Sequence, residues 1–233
     1  MKFPIRIPEG YQLIMTQPYA NTTLNDWYKS RGITAPYHNG IDVVIGKNWR
    51  TDTAVTYGTA CVTPTDGWTV AKKTFTTTIS TSGNGMTIQS PVKTIDGVDT
   101  ICQLVFWHLS GVEDGTIEKE GDTVGYIGNS GTVRPAPSAN CVHCGSHLHF
   151  MKFLFRKVNG QYVNVASENG VKGALDPLSA FDKNDPFVFE LNDPFRGEDT
   201  GIEKDTPAIK HYLDKVKEKL DWIVGILSTR KIK

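Results

Sequence analysis

Short apolar runs separated by polar turn formers recur along roughly the first 165 residues. Residues 12–16, 41–45, 60–63, 68–80, 86–89, 100–108, 123–127 and 147–155 are rich in Val, Ile, Thr and aromatic side chains, which predicts strands. Asn84-Gly85 and Asp96-Gly97 read as hairpin turns. No amphipathic helix separates these strands, so the pattern predicts a mainly β fold, an antiparallel sheet or sandwich rather than βαβ units.

The texture changes near residue 182. Between 182 and 205 eight acidic residues face three basic ones, and Pro186, Pro194 and Gly197 interrupt any regular element. Thr206-Pro207 then reads as a helix cap with proline in the first turn. Ile209, Leu213, Val216, Leu220, Ile223 and Leu227 follow at alternating spacings of four and three. The expected organisation is a domain over 1–185, an acidic linker over 186–205 and an amphipathic C-terminal helix over 206–233. That helix could pack on its own domain, pair with a second copy, or dock on a partner or an anionic surface through its apolar end and Arg230, Lys231 and Lys233.

Composition narrows the classes further. Twenty-five basic and twenty-five acidic residues cancel, so no basic field points to nucleic acid. No apolar run reaches the ~18 residues of a membrane span. The start, MKFPIRIPEGYQL, lacks the apolar core of a secretory leader, so action outside a cell is expected to need release by other means. Four cysteines are too few for a disulfide scaffold. Cys61 and Cys102 lie in apolar strands and read as buried thiols, which leaves Cys141 and Cys144 to act together.

The candidate chemistry lies in the histidines. His38 and Asp42 stand four residues apart around Gly40, leading into the apolar run IDVVI. His147 and His149 alternate with Leu148 in a strand, so both imidazoles face the same side, ~7 Å apart. A catalytic zinc site uses three such protein ligands and one open position. His38, Asp42 and one member of the pair fill that set, leaving the other member and His108 as nearby free imidazoles suited to metal-assisted hydrolysis. Taken singly, each motif has a structural reading: a common His-x-x-x-Asp pair without function, a solvated polar pair, a core histidine. Their joint occurrence favours a site, because a strand as apolar as HLHFMKFLF should not bury two imidazoles without a partner that offsets their desolvation.

At these residues the sequence resembles the lysostaphin/LytM-type zinc metalloendopeptidases, in the order HNGID, FWHLS and HLHF. GTACVTPTDGWTV, TIEKEGDTVGYIGNSG and Ala174-Leu175-Asp176-Pro177-Leu178 resemble supporting segments of that family, over residues 15–181. The resemblance implies a β-sheet groove of the duplicated-hybrid-motif type. It implies zinc on His38, Asp42 and His149, with His108 and His147 as catalytic histidines, and peptidoglycan stem peptides or cross-bridges as substrate. A phage-type lysin or virion-associated bacteriolytic enzyme acting at the cell wall is the corresponding expectation. Residues 72–99 and the loop 131–145 are longer than the family pattern, so substrate preference does not transfer. Trp107 is assigned to the core in preference to a stacking wall. Cys141 and Cys144 read as a local tether, with a small zinc knuckle as the lesser alternative. The rival functional class is a non-catalytic wall-binding or structural tail protein of the same fold, against which the five filled positions argue. Another zinc amidase or carboxypeptidase on the same polymer is the third.

Overall fold

Among the described residues, ten strands pair into one antiparallel sheet: β1 (Gln12–Gln17), β2 (Ile41–Gly46), β3 (Ala60–Val62), β4 (Thr69–Thr74), β5 (Asn84–Gln89), β6 (Lys93–Ile95), β7 (Val98–Val112), β8 (Thr123–Ile127), β9 (Leu148–Val158) and β10 (Gln161–Asn164). The main path runs β1-β2-β9-β7-β5-β4, with β10 on β9, β6 on β7, and β8 bridging β7 to β3. β11 (Ser167–Glu168) and β12 (Val171–Lys172) form a separate two-stranded pair. A short helix, α1 (Thr53–Thr56), is tied to the end of β2 by Thr56, whose Oγ1 donates to Ile45 O at 2.9 Å and accepts from Ile45 N at 3.0 Å. This computed structural model describes residues 1–20, 38–46, 53–75, 82–113, 115–168, 171–178 and 187. All belong to Met1–Arg196, the first of two units into which the chain divides. Apart from Phe187, the expected linker 186–205 and helix 206–233 lie outside the described residues, as does the 76–80 end of the fourth predicted strand.

Alternation sorts the central strands into two faces. Ile41, Val43 and Ile45 on β2, Met86 and Ile88 on β5, Leu104 and Phe106 on β7, and Leu148 and Phe150 on β9 are at most 1% exposed and form the core. Each side chain of this size contributes roughly 1.5–3 kcal/mol by leaving water. Because the period is two, Asp42, Trp107 and His149 are sent to the opposite face of the same strands. The core therefore holds in register the strands that carry the site.

Asp96 (φ 50°) and Gly97 (φ 76°) make the expected two-residue turn between β6 and β7, where Ile95 pairs with Val98. Asn159 (φ 49°) and Gly160 (φ 82°) do the same between β9 and β10, a turn the strand pattern did not anticipate. Asn84-Gly85 is not a turn. Both residues lie in β5, paired with Leu109 and Trp107 of β7. Glycine is required at 85 by close approach instead: a Cβ there would sit 2.6 Å from Trp107 Cδ1 and 2.9 Å from Phe106 O.

Candidate metal centre

Strand register brings the first two motifs together. Asp42 pairs with His149 across β2 and β9, and Trp107 pairs with His149 across β7 and β9. His38 enters just before β2, where its Nδ1 donates to Pro18 O at 3.1 Å. Gly40 allows this approach, since a Cβ would lie 2.4 Å from Phe150 O and 3.1 Å from His149 Nε2. Gly40→Ala is expected to cost about 1–3 kcal/mol through overpacking. It should also weaken metal binding by spreading β2 from β9, measured by denaturant unfolding and calorimetric titration with a divalent metal.

His38 Nε2, His149 Nδ1 and Asp42 Oδ1 form a small triangle. The nitrogens are 2.9 Å apart, His149 Nδ1 is 2.9 Å from Asp42 Oδ1, and His38 Nε2 is 3.1 Å from it. With Nδ1–H committed to Pro18, neutral His38 presents a bare lone pair at Nε2. Three electron-rich atoms thus converge, and one shared proton can satisfy only part of the set. His149 Nε2, on the far side of its ring, is buried without a hydrogen-bond partner. A divalent cation meets this donor set: the edge of a tetrahedron built on ~2.0–2.1 Å zinc–ligand bonds is ~3.3 Å, close to the triangle's sides. Among the described residues, His38, Asp42 and His149 are the group of three placed to hold a metal.

The other two histidines reach the same side by irregular backbone. Asn84 and Gly85 are consecutive in β5, yet they pair with Leu109 and Trp107, so His108 is the extra residue of a β-bulge. Its φ of 64° is left-handed, a conformation that costs a non-glycine residue roughly 1–2 kcal/mol. The bulge turns His108 off the core face between Phe106 and Leu109 and toward His147, with ring centroids 4.6 Å apart. Ser130 braces it: its carbonyl accepts from His108 Nδ1 at 2.8 Å, while its hydroxyl donates to Leu109 O and accepts from Asn84 N. His147 stands one residue before β9, bridged to Gly128, rather than inside the strand as expected. Its Nδ1 donates to Gly145 O at 2.8 Å. Both imidazoles therefore keep an Nε2 lone pair when neutral, and His147 Nε2 lies 3.8 Å from Asp42 Oδ2.

The charges follow from burial and these contacts. Burial presses His38 down, but the Asp42 carboxylate and hydrogen bonds to Asp42 and Pro18 outweigh it and hold the imidazole above its ordinary value. Burial pushes the Asp42 carboxyl up, yet His38 and His147, with the His149 hydrogen bond, keep it well below the usual carboxylate range. Burial lowers His149, and burial together with His147 and His149 takes His108 down to about 3. A metal needs His38 and His149 unprotonated. Because His38 is raised and His149 lowered, His38 takes up its competing proton first as pH falls. Affinity for a divalent metal is expected to be level above the His38 titration, to fall about tenfold per pH unit below it, and to fall more steeply once His149 titrates. Calorimetry across that range checks this, and a pH-independent affinity would contradict the assignment.

Trp107 is a correction to the core assignment. It is half-buried on the groove face and stacks on His149, centroids 5.3 Å apart and planes 17° from parallel. Within the long loop before His147, Cys141 and Cys144 form a disulfide with Cα atoms 5.3 Å apart, a local tether rather than a zinc knuckle. Asn129 Nδ2 donates to Val142 O and Cys144 O, fixing that loop beside the site. Cys61 and Cys102 are buried thiols, as expected. Ser130 and the carbonyls of Pro18 and Gly145 were not singled out by sequence reasoning. Ser130 does lie inside the IGNSG segment on which the resemblance partly rests, whereas backbone carbonyls leave no residue-type signal.

No known family profile matches this sequence, and no curated protein does. Solved structures do resemble it. Lysostaphin in solution is 19% identical, with 77% of this chain and 56% of that one covered and a TM-score of 0.40. A zinc-containing peptidase from Vibrio cholerae is 16% identical, with 70% and 38% covered and a TM-score of 0.38. A putative glycyl-glycine endopeptidase LytM from Ruminococcus gnavus is 17% identical, with 70% and 55% covered and a TM-score of 0.37. This chain thus spans well under two thirds of those proteins' lengths.

Proposed function

We propose that this chain is a zinc-dependent endopeptidase that hydrolyses peptide cross-links of bacterial peptidoglycan, with His38, Asp42 and His149 as metal ligands and His108 and His147 as catalytic histidines. The observation that carries the reading is the convergence of three ligand atoms within 3.1 Å of one another, beside two imidazoles whose Nδ1 atoms are both held by backbone carbonyls. When bound, zinc supplies a Lewis acid that polarises a scissile carbonyl and lowers the pKa of water to about 7.

The chain's own groups supply the proton path. A water molecule has two O–H bonds, and the neighbouring rings of His108 and His147, centroids 4.6 Å apart, each keep an Nε2 acceptor for one of them. The imidazole that takes the proton thereby becomes a donor, first to the oxyanion of the tetrahedral intermediate and then to the leaving amine. A proton arriving on His147 faces Asp42 Oδ2 at 3.8 Å. The substrate on this reading is a stem peptide or cross-bridge, and the protein acts at the cell wall.

The test is release of new free amino groups from purified peptidoglycan. Release is expected with zinc, is lost on chelation, and returns when zinc is restored. Stoichiometric zinc and wall binding with no release from several wall chemistries would make the chain a non-catalytic wall-binding or tail protein.

A further inference from the structure

A groove of about 650 Å³ lies on the sheet face beside the metal centre, with Trp107 and Met151 at its near end and Lys72 on the far wall. Strand register defines its course. One row of paired residues crosses the sheet as Thr74, Gly85, Trp107, His149 and Asp42. The adjacent row runs Lys72, Thr87, Val105 and Met151. β4 is three strands from β9, or ~14 Å at ~4.8 Å per strand, and the rows are a further ~7 Å apart. An extended peptide advances ~3.4 Å per residue, so after allowing for the reach of a lysine side chain, Lys72 meets a peptide three to five residues from the metal centre.

The chemistry along this path is uneven. Trp107 and Met151 give an apolar floor, and Gly85 keeps that floor flat, since a side chain there would meet the indole. Gln103 donates to Gln89 Oε1 at 3.1 Å, which leaves its own Oε1 to accept from a peptide N–H. Lys72 is the charged residue lining the groove; it is exposed, and no acidic side chain pairs with it among the described residues. A cation on a wall that is otherwise neutral among the described residues sets a preference for an anion at one register of a bound chain.

We infer that this groove is a specificity subsite in which Lys72 selects a peptide bearing a carboxylate three to five residues from the bond cleaved at the metal centre. The inference rests on the peptidase reading for the direction of the peptide. Its test is separable from that reading because it measures binding. The full chain, without added metal, is titrated by chemical shift with capped glycine hexapeptides carrying one Glu, or its isostere Gln, at each position in turn.

At low salt the Glu peptide is expected to bind about fivefold more tightly than the Gln peptide in one or two registers, the range of an exposed ion pair. About 0.5 M salt should erase the difference. Lys72→Gln should abolish it, and Lys72→Glu should transfer the preference to a Lys-bearing peptide. Equal binding of Glu and Gln peptides in every register, no binding of any peptide, or a Glu preference surviving Lys72→Glu would overturn the inference. Hydrolysis of the same peptides with zinc separates the two claims: cleavage without acid preference overturns only the subsite, and acid preference without cleavage overturns only the peptidase.

Discussion

His149→Ala is expected to abolish zinc binding and to lower peptidoglycan hydrolysis by more than about 10³-fold. Lewis-acid stabilisation contributes several kcal/mol, and each 1.36 kcal/mol is about tenfold in rate. The substitution removes one corner of a triangle whose sides are 2.9–3.1 Å, leaving His38 and Asp42 as two ligands where a catalytic zinc takes three. Stability provides a readout independent of activity. A ligand present at about 1,000 times its dissociation constant stabilises the native state by about 4 kcal/mol. Zinc should therefore raise the unfolding midpoint of the wild type and leave that of the variant unmoved. A variant that keeps stoichiometric zinc and hydrolysis would remove His149 from the ligand set.

His108→Asn and His147→Asn are each expected to lower kcat by about 10²–10³-fold, the usual cost of a positioned proton acceptor or oxyanion donor, while zinc content stays at wild-type level. Asparagine is chosen at 108 because it tolerates the left-handed backbone, φ 64°, that the bulge imposes. A loss of rate then reports the imidazole and not the strand. Since the two Nε2 atoms address one water, the double variant should lose little more than the worse single one, as residues acting as a unit do. Rates within tenfold of wild type for either single variant would take that histidine out of the chemistry.

Much of this site was legible in the residues. His38, Asp42, His108, His147 and His149 all reach one side of the sheet, and the mainly antiparallel β architecture follows the expected strands. The legible parts are those governed by period two. Ile41, Val43 and Ile45 alternate with Asp42, and Leu148 and Phe150 with His149, so burying one set obliges the other to face the site. The misread parts are those where alternation breaks or contacts are distant. Trp107, assigned to the core, lies instead on the groove side against His149, and His108 joins it there although strict alternation along FWHL would return it to the core beside Phe106. The bulge puts both 107 and 108 on the groove side, and it exists because β7 carries one residue more than β5 between the same partners. Asn84-Gly85 has the composition of a turn, but its glycine answers to the indole across the strand.

The sequence by itself determined the chemistry available: which side chains can ligate, which can carry a proton, and which strands have an apolar face that forces them into a sheet. Those properties belong to residue types and their spacing, and they survive any arrangement of loops. The tertiary structure alone decided how that chemistry is aimed. The carbonyls of Pro18, Ser130 and Gly145 commit three Nδ1 atoms and so leave three Nε2 lone pairs for the site. A hydrogen bond to a backbone carbonyl depends on where the chain passes, 20 residues away for Pro18 and 22 for Ser130, and on nothing in the identity of the residue that supplies it.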